Sequence, residues 1–153
     1  MELNEQDIQF AQETIKKMGL FSMCSEPELG QLMGGMEKQN YKQGSTILFQ
    51  GEISSRLYII ESGKVSVTVR NGKIKTRVAE LETNNFFGEI SLLTPRAATA
   101  TIKAEADTVI IFLPGEVVQR LAKENIRFQE GLNHKINERL ASQKQKTERK
   151  PEQ

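Results

Sequence analysis

The feature that most constrains the fold is an Asn-Gly pair, Asn71-Gly72, that separates two stretches with the residue pattern of β-strands. Before it, residues 65–69 alternate strictly between valine and a polar residue, as in a strand with one buried face. Residues 74–81 form the returning stretch. Asn-Gly is the strongest short hairpin signal because both residues tolerate the positive φ angles of a tight turn. The sequence therefore predicts an antiparallel sheet built around this hairpin.

Further strand patterns lie on both sides of the hairpin. Residues 41–49 end in β-forming residues, and residues 99–113 contain two apolar stretches separated by Asp107 and Thr108. We expect two closing strands in the second region, followed by a break at Pro114. Repeated strand and turn signals with helices at both ends predict a mainly β fold with α-helices, an antiparallel β-roll or jelly-roll.

Two helices are predicted before the sheet, within residues 1–40. The first follows the capping residue Asn4, carries apolar residues at three- and four-residue spacing, and ends at Gly19. The second begins after Ser25, which forms with Glu28 the Ser-x-x-Glu pattern of a capping box. Both helices are expected to pack one face inward.

Helices are also predicted after the sheet, over residues 115–142. Phe128, Leu132, Ile136 and Leu140 recur every four residues and give the last helix a narrow apolar stripe. Residues 143–153 contain no apolar residue, so we expect them to be disordered. The predicted organisation is an N-terminal helical segment at 1–40, a β-roll at 41–114, C-terminal helices at 115–142 and a tail.

The composition argues against several classes of protein. With 153 residues and a net charge of +1, the chain fits one domain and has no global field that would attract nucleic acid. A single cysteine, Cys24, excludes an internal disulfide, and the one histidine, His134, lies outside the strands, which argues against a metal enzyme. No apolar run approaches the length of a membrane span, and the polar first residues do not resemble a secretion signal. We therefore expect a cytoplasmic protein that is not an enzyme and needs no metal or cofactor.

The residue types that carry chemistry are concentrated in residues 86–99. Gly88 lets backbone N–H groups approach an anion, Glu89 can accept hydrogen bonds from a ribose hydroxyl, and Arg96 can donate to two phosphate oxygens at once. A helix that starts near Glu89 would add its unpaired N–H groups and the positive end of its dipole. This segment is thus a candidate site for a sugar phosphate.

Residues 86–99 resemble the phosphate-binding cassette of cyclic-nucleotide-binding domains, as found in regulatory subunits of cAMP-dependent protein kinase, catabolite-activator-type regulators and ligand-gated ion channels. Residues 51–67 look like the two central strands of that family's β-roll, and the resemblance covers residues 20–122. It implies that the ligand is cAMP or cGMP and that the C-terminal helices act as a lid. The binding residues that it implies are Gly88, Glu89, Ile90, Ser91, Arg96, Ala97 and Ala98.

The spacing within this segment departs from the family pattern and leaves two alignments open. Arg96 follows Gly88 two positions sooner than the phosphate-binding arginine of the family does. In one alignment Arg96 keeps the role of that arginine and the cassette loop is shorter. In the other, Ala98 takes the arginine position and Arg96 lies on the loop before it. Small residues after Arg96 favour cAMP, because relatives that prefer cGMP offer guanine a hydroxyl there.

Two functions follow from the resemblance. The first is a stand-alone regulatory module that senses cAMP or cGMP and signals to an effector protein through movement of residues 117–140. The second is a degenerate roll that no longer binds nucleotide and serves as an interaction module, with a homodimer through the C-terminal helix as one form of it. The shifted position of Arg96 motivates the second.

Overall fold

A computed structural model describes the backbone of residues 2–149 and the side chains of residues 2–142. Over these residues the chain forms four α-helices, one short 3-10 turn and ten strands. The helices are α1 (Glu5–Met18), α2 (Glu26–Gly34), α3 (Gly115–Glu124) and α4 (Ile126–Arg149). The strands are β1 (Glu37–Tyr41), β2 (Thr46–Leu48), β3 (Ile53–Ser54), β4 (Arg56–Ser62), β5 (Lys64–Asn71), β6 (Ile74–Glu82), β7 (Phe86–Phe87), β8 (Arg96–Ala97), β9 (Thr101–Ala104) and β10 (Thr108–Pro114).

The strands form two four-stranded antiparallel sheets and a small ribbon. The first sheet has the order β1-β10-β4-β7, and the second has the order β2-β9-β5-β6. The ribbon pairs β3 with β8. The predicted hairpin is confirmed, because β5 and β6 pair antiparallel, β5 ends at Asn71 and β6 begins at Ile74. The predicted fold class, an antiparallel β-roll flanked by helices, is likewise confirmed.

The central strands of the first sheet, β4 and β10, are buried on both faces. Alternate residues of β4 and β10, such as Leu57 and Ile111, pack against the helices, while the intervening residues, such as Ile60 and Phe112, pack against the second sheet. A strand covered on both faces must be apolar at every position, which is why its sequence reads as a continuous run. The core thus has two layers, one between helices and roll and one between the two sheets.

The predicted helix ends before the sheet are present. The side chain of Asn4 accepts from the backbone N–H of Asp7, and the Asp7 carboxylate accepts from the N–H of Asn4 in return. Ser25 and Glu28 form the second capping box. These reciprocal bonds satisfy N–H groups that have no partner within the helix. The backbone of Gly19 is left-handed and ends α1.

Two features differ from the expected organisation, which are the start of β1 and the length of α4. β1 begins at Glu37, inside the segment expected to be helical, and pairs along the edge of β10. The C-terminal helices are separate, because the extended backbone of Asn125 breaks the run between α3 and α4. α4 continues to Arg149, over residues where the sequence predicts disorder, since Gln, Lys, Glu and Arg are good helix formers. Residues 150–153 lie outside the described part of the chain.

Within the described part of the chain, none of the helices combines the length and apolar character needed to cross a membrane.

Candidate functional site

A cavity of about 820 Å³ lies between the segment 86–99 and the second sheet. All seven residues predicted to bind ligand line it, which are Gly88, Glu89, Ile90, Ser91, Arg96, Ala97 and Ala98. Its other walls come from β2, β5, β6 and β9 and from the C-terminal helix α4. The structure therefore brings the predicted site residues together around one space. Among the side chains of residues 2–142, no group of three or more histidine, cysteine or carboxylate residues is arranged to hold a metal ion.

Position 88 requires a glycine, because of its backbone conformation and because of the atoms that surround it. Its φ angle is 88°, in the left-handed region. A Cβ atom at this position would lie 2.2 Å from the carbonyl oxygen of Arg56 and 3.2 Å from the ring of Tyr58. The chain therefore approaches β4 more closely than any other residue type allows.

The expected helix at Glu89 is only a single 3-10 turn, Glu89–Ser91. The hydroxyl of Ser91 donates to the carbonyl oxygen of Gly88 at 2.9 Å and closes this turn. So short an element cannot supply the dipole of a full helix, because the dipole arises from many aligned peptides. The prediction of a helix dipole at the site is wrong, and individual N–H groups are what the turn can offer an anion.

Glu89 is the one anion among the described residues that line the cavity. Burial raises the pKa of its carboxyl group, while a hydrogen bond from its own backbone N–H and the positive charge of Arg139 lower it. A carboxylate in this setting gains from a donor that enters the cavity.

Arg96 is the one cation among the described residues that line the cavity. It lies on β8, where its backbone pairs with Ser54 of β3. Its side chain is exposed, and it makes no hydrogen bond or ion pair with the side chains described through residue 142. A guanidinium held on a strand beside a cavity, with its donors unused, can bind a phosphate in two-point fashion.

Two backbone hydrogen bonds hold Ala98, which lies two residues after Arg96. The N–H of Ala98 donates to the carbonyl oxygen of Glu52 at 2.8 Å, and the carbonyl oxygen of Ala98 accepts from Gly51 at 2.8 Å. The N–H of Ala98 is therefore already used and is not free to bind an anion. These bonds hold the strand that carries Arg96.

The C-terminal helices contact this segment from the other side. The guanidinium of Arg139 on α4 lies 5.4 Å from the centre of the Phe86 ring, and it donates to the carbonyl oxygen of Met18 at 2.8 Å. Gln119 on α3 donates to the carbonyl oxygen of Leu92 at 3.2 Å, and Leu140 lines the cavity. The proposed lid thus touches the cassette directly.

Sequence reasoning missed most of the apolar wall. The wall residues that were not predicted include Leu48, Val67, Ala79, Leu81, Ile102 and Leu140. The alternation in β5 places Val65 and Val67 on the same face, but it cannot distinguish a filled core from a cavity. Val65 is fully buried, whereas Val67 lines the cavity. Leu140 belongs to the predicted apolar stripe of the last helix. The stripe identifies the apolar face of that helix, but it does not show which residues pack against it.

The sequence is similar to those of known proteins. The family profile described as cyclic nucleotide-binding domain matches residues 38–125. A cAMP-dependent protein kinase regulatory subunit of Dictyostelium discoideum is 33% identical over 114 residues, which are 72% of this chain and 35% of the relative. A cGMP-dependent protein kinase of Plasmodium berghei (strain Anka) is 32% identical over 88 residues, 58% of this chain and 10% of the relative. The chain therefore spans only about a tenth to a third of these relatives.

Solved structures show the same fold at lower identity. A cyclic nucleotide-binding domain from Methylobacillus flagellatus KT superposes with a TM-score of 0.74 at 18% identity, covering 95% of this chain and 84% of that one. The regulatory domain of Toxoplasma gondii PKA, solved with cAMP, gives 0.66 at 21% identity and covers 86% of this chain and 50% of that one. With the profile match over more than half of the chain and the fold in agreement, this chain belongs to the cyclic nucleotide-binding domain family.

Proposed function

We propose that this chain is a regulatory module that binds cAMP in the cavity beside Gly88 and transmits binding through its C-terminal helices. The observation that supports this most is the composition of the cavity wall. One cation, one anion and a glycine turn lie on the same side of it, and an apolar wall lies opposite. A cyclic nucleotide has a matching arrangement, with an anionic phosphate, a ribose hydroxyl and an apolar base.

Each charged residue has one role in this proposal. Arg96 binds the cyclic phosphate, because its donors have no partner among the described side chains and its strand is held by β3. The Glu89 carboxylate accepts a hydrogen bond from the ribose hydroxyl. Of the two alignments, this role for Arg96 favours the one in which it remains the phosphate-binding arginine and the cassette loop is shorter.

The preference for cAMP rests on Ala97 and Ala98, whose side chains have no hydroxyl to offer a guanine base. Both line the cavity. Two alanine positions without a donor or acceptor give no advantage to the guanine substituents of cGMP. The hydroxyl of Thr99, which also lines the cavity, is the next polar group along this segment. We infer that cGMP binds more weakly.

The proposed signal travels through α4. A ligand shifts a two-state arrangement only through a difference in affinity between the states, so the moving element must contact the ligand or its binding segment. Leu140 lines the cavity and Arg139 packs on Phe86, two residues before Gly88. Binding would therefore alter the contacts that hold α4 in place, and a partner protein would read the change.

Titration calorimetry with cAMP and cGMP tests the proposal. We expect heat with both nucleotides and tighter binding of cAMP. Arg96→Ala should weaken cAMP binding by about 2 kcal/mol, on the order of thirtyfold, and Glu89→Ala should weaken it less. Arg70→Ala is the matched control, since Arg70 is exposed and does not line the cavity. Absence of heat and of any thermal shift at millimolar nucleotide would leave the degenerate interaction module as the better description.

A further inference from the structure

A cluster of three ionisable side chains lies under α1, away from the cavity. Asp7 belongs to α1, Lys38 to β1 and Glu61 to β4. The Nζ atom of Lys38 lies 3.2 Å and 3.1 Å from the two carboxylate oxygens of Asp7, and 3.8 Å from Oε1 of Glu61. The cluster therefore joins the N-terminal helix to two strands of the first sheet.

The cluster is shielded from water and its formal charges do not cancel. The side chain of Asp7 is 4% exposed, that of Lys38 is 19% exposed and that of Glu61 is 20% exposed. Two carboxylates and one ammonium would leave one excess negative charge in a site with little water, which is costly. A proton held between the two carboxyl groups removes that excess.

Among the side chains of residues 2–142, the charged groups that act on Glu61 are Asp7 and Lys38. β7 and β10, the strands nearest to β4 in the same sheet, contain no charged residue. The other ionisable side chains of α1, which are Glu5, Glu13, Lys16 and Lys17, are exposed. Asp7 and Lys38 are thus the groups that set the protonation of Glu61.

The two carboxyl groups divide the proton unequally. Burial, together with the adjacent Asp7 carboxyl, raises the pKa of Glu61 to about 7. The hydrogen bond with Glu61 lowers the pKa of Asp7 although burial opposes this, and the Asn4 N–H and Lys38 add to the lowering. Below its raised pKa, Glu61 is protonated and can donate to ionised Asp7. Asp7 also accepts from the N–H of Asn4 at 2.9 Å, so the same carboxylate caps α1.

We propose that Asp7, Lys38 and Glu61 form a proton-dependent clasp that holds α1 on the β-roll and loosens as the pH rises through neutrality. With α1 docked, Glu61 keeps its proton at pH values where it would lose it in water. Docking therefore takes up a proton, and docking weakens as the pH rises from the ordinary carboxyl range to the raised one. Above that range no further change is expected. The clasp does not depend on nucleotide binding.

Amide hydrogen exchange of the unliganded protein, corrected for the intrinsic exchange rate, measures the docking of α1. Between about pH 5.5 and pH 8 the protection of the α1 amides should fall by at least about tenfold. The amides of β10 serve as an internal reference, because the central strand opens only when the whole domain unfolds. Global unfolding releases the same proton, so β10 protection should fall in parallel with that of α1 but stay higher at every pH, which shows that α1 opens locally.

Two variants separate the clasp from general stability. In Glu61→Gln, the amide can donate to Asp7 without titrating, so the protection of α1 at pH 8 should be at least as high as that of the parent protein at pH 5.5. Glu13→Gln removes an exposed carboxylate of the same helix and should keep the slope of the parent. A flat α1 profile in the parent protein overturns the proposal whatever the variants show. An unchanged slope in Glu61→Gln, with β10 still protected, also overturns it.

Discussion

The two large sheets of this domain differ in what covers them. In the first sheet, the central strands β4 and β10 are packed on both faces, and their residues Ile59, Ile60, Ile110 and Ile111 are fully buried. The second sheet ends in β6, a nine-residue edge strand that is exposed at every position except Leu81. Its inner face borders the cavity. The first sheet thus serves as the scaffold, whereas the second keeps part of its inner face open for a ligand.

Truncating a scaffold residue should have the largest effect. Ile111 is fully buried in the layer between the helices and the first sheet. Ile111→Ala removes buried methyl and methylene groups and leaves a cavity, which should lower the free energy of unfolding by about 2–5 kcal/mol. Urea denaturation followed by circular dichroism measures this. A loss below about 1 kcal/mol would mean that the first sheet repacks and is not a rigid scaffold.

The junction between scaffold and cavity should be the next most sensitive position. Gly88→Ala places a Cβ atom against the Arg56 carbonyl and forces a left-handed backbone on alanine, at a cost of about 2 kcal/mol or more. We also expect weaker cAMP binding by calorimetry, because the turn must shift. Gly30→Ala is the control, since Gly30 lies within α2 with open space around it. That change should stabilise the protein by about 0.5–1 kcal/mol. Equal effects of the two changes would contradict the close approach at Gly88.

A smaller effect is expected on cAMP affinity from the protonation of Glu89 at the cavity. Since burial raises the pKa of Glu89, cAMP binding should weaken as the pH falls and the carboxylate that accepts the ribose hydroxyl is protonated. Arg139→Gln removes a charge that lowers this pKa, so the loss should begin at higher pH. We expect an affinity about threefold below that of the parent protein at mildly acidic pH and little difference at alkaline pH. Calorimetry over a pH series measures this, with Arg127→Gln on the same helix as control. Parallel pH profiles for the parent protein and Arg139→Gln would show that Arg139 does not act on Glu89.

The smallest effect on the free energy of unfolding is expected from truncating an exposed residue of the edge strand β6. Ile74 on β6 is 69% exposed, so Ile74→Ala should change the free energy of unfolding by no more than about 0.5 kcal/mol. This change is chemically the same as Ile111→Ala, and the difference between the two therefore measures how unlike the two sheets are. The same urea denaturation serves both. A cost for Ile74→Ala close to that of Ile111→Ala would remove the distinction between scaffold and edge.

Much of the fold could be predicted because its signals are local. The Asn71-Gly72 turn, the Asn4 and Ser25 caps and the break at Pro114 each depend on a few adjacent residues. The two-residue strands β3 and β8 could not be predicted, because a strand of that length has no periodicity and exists only through its partner. The start of β1 was missed for a different reason. Its residues, Glu37–Tyr41, are largely polar and show no alternation with apolar residues.

The site was predictable in its charged residues but not in its walls. Gly88, Glu89 and Arg96 carry chemistry that is visible in the sequence, and the structure places them around one cavity. The contact of Arg139 with Phe86 and the burial of Asp7 beside Lys38 join residues far apart in the chain. Such contacts follow from packing and have no local pattern. The extent of the turn at Glu89 also depends on packing, and the sequence overstated it.

The apolar stripe of α4 is already occupied by the chain's own core. Phe128, Leu132 and Ile136 are 1%, 0% and 3% exposed, and they pack in the layer between the helices and the first sheet. A second copy or a partner protein that uses this stripe must therefore compete with an intramolecular surface of the same composition. Complex formation through the stripe and the closed arrangement of the helices exclude each other. The apolar stripe is therefore unavailable to a second copy or a partner until α4 detaches from the core.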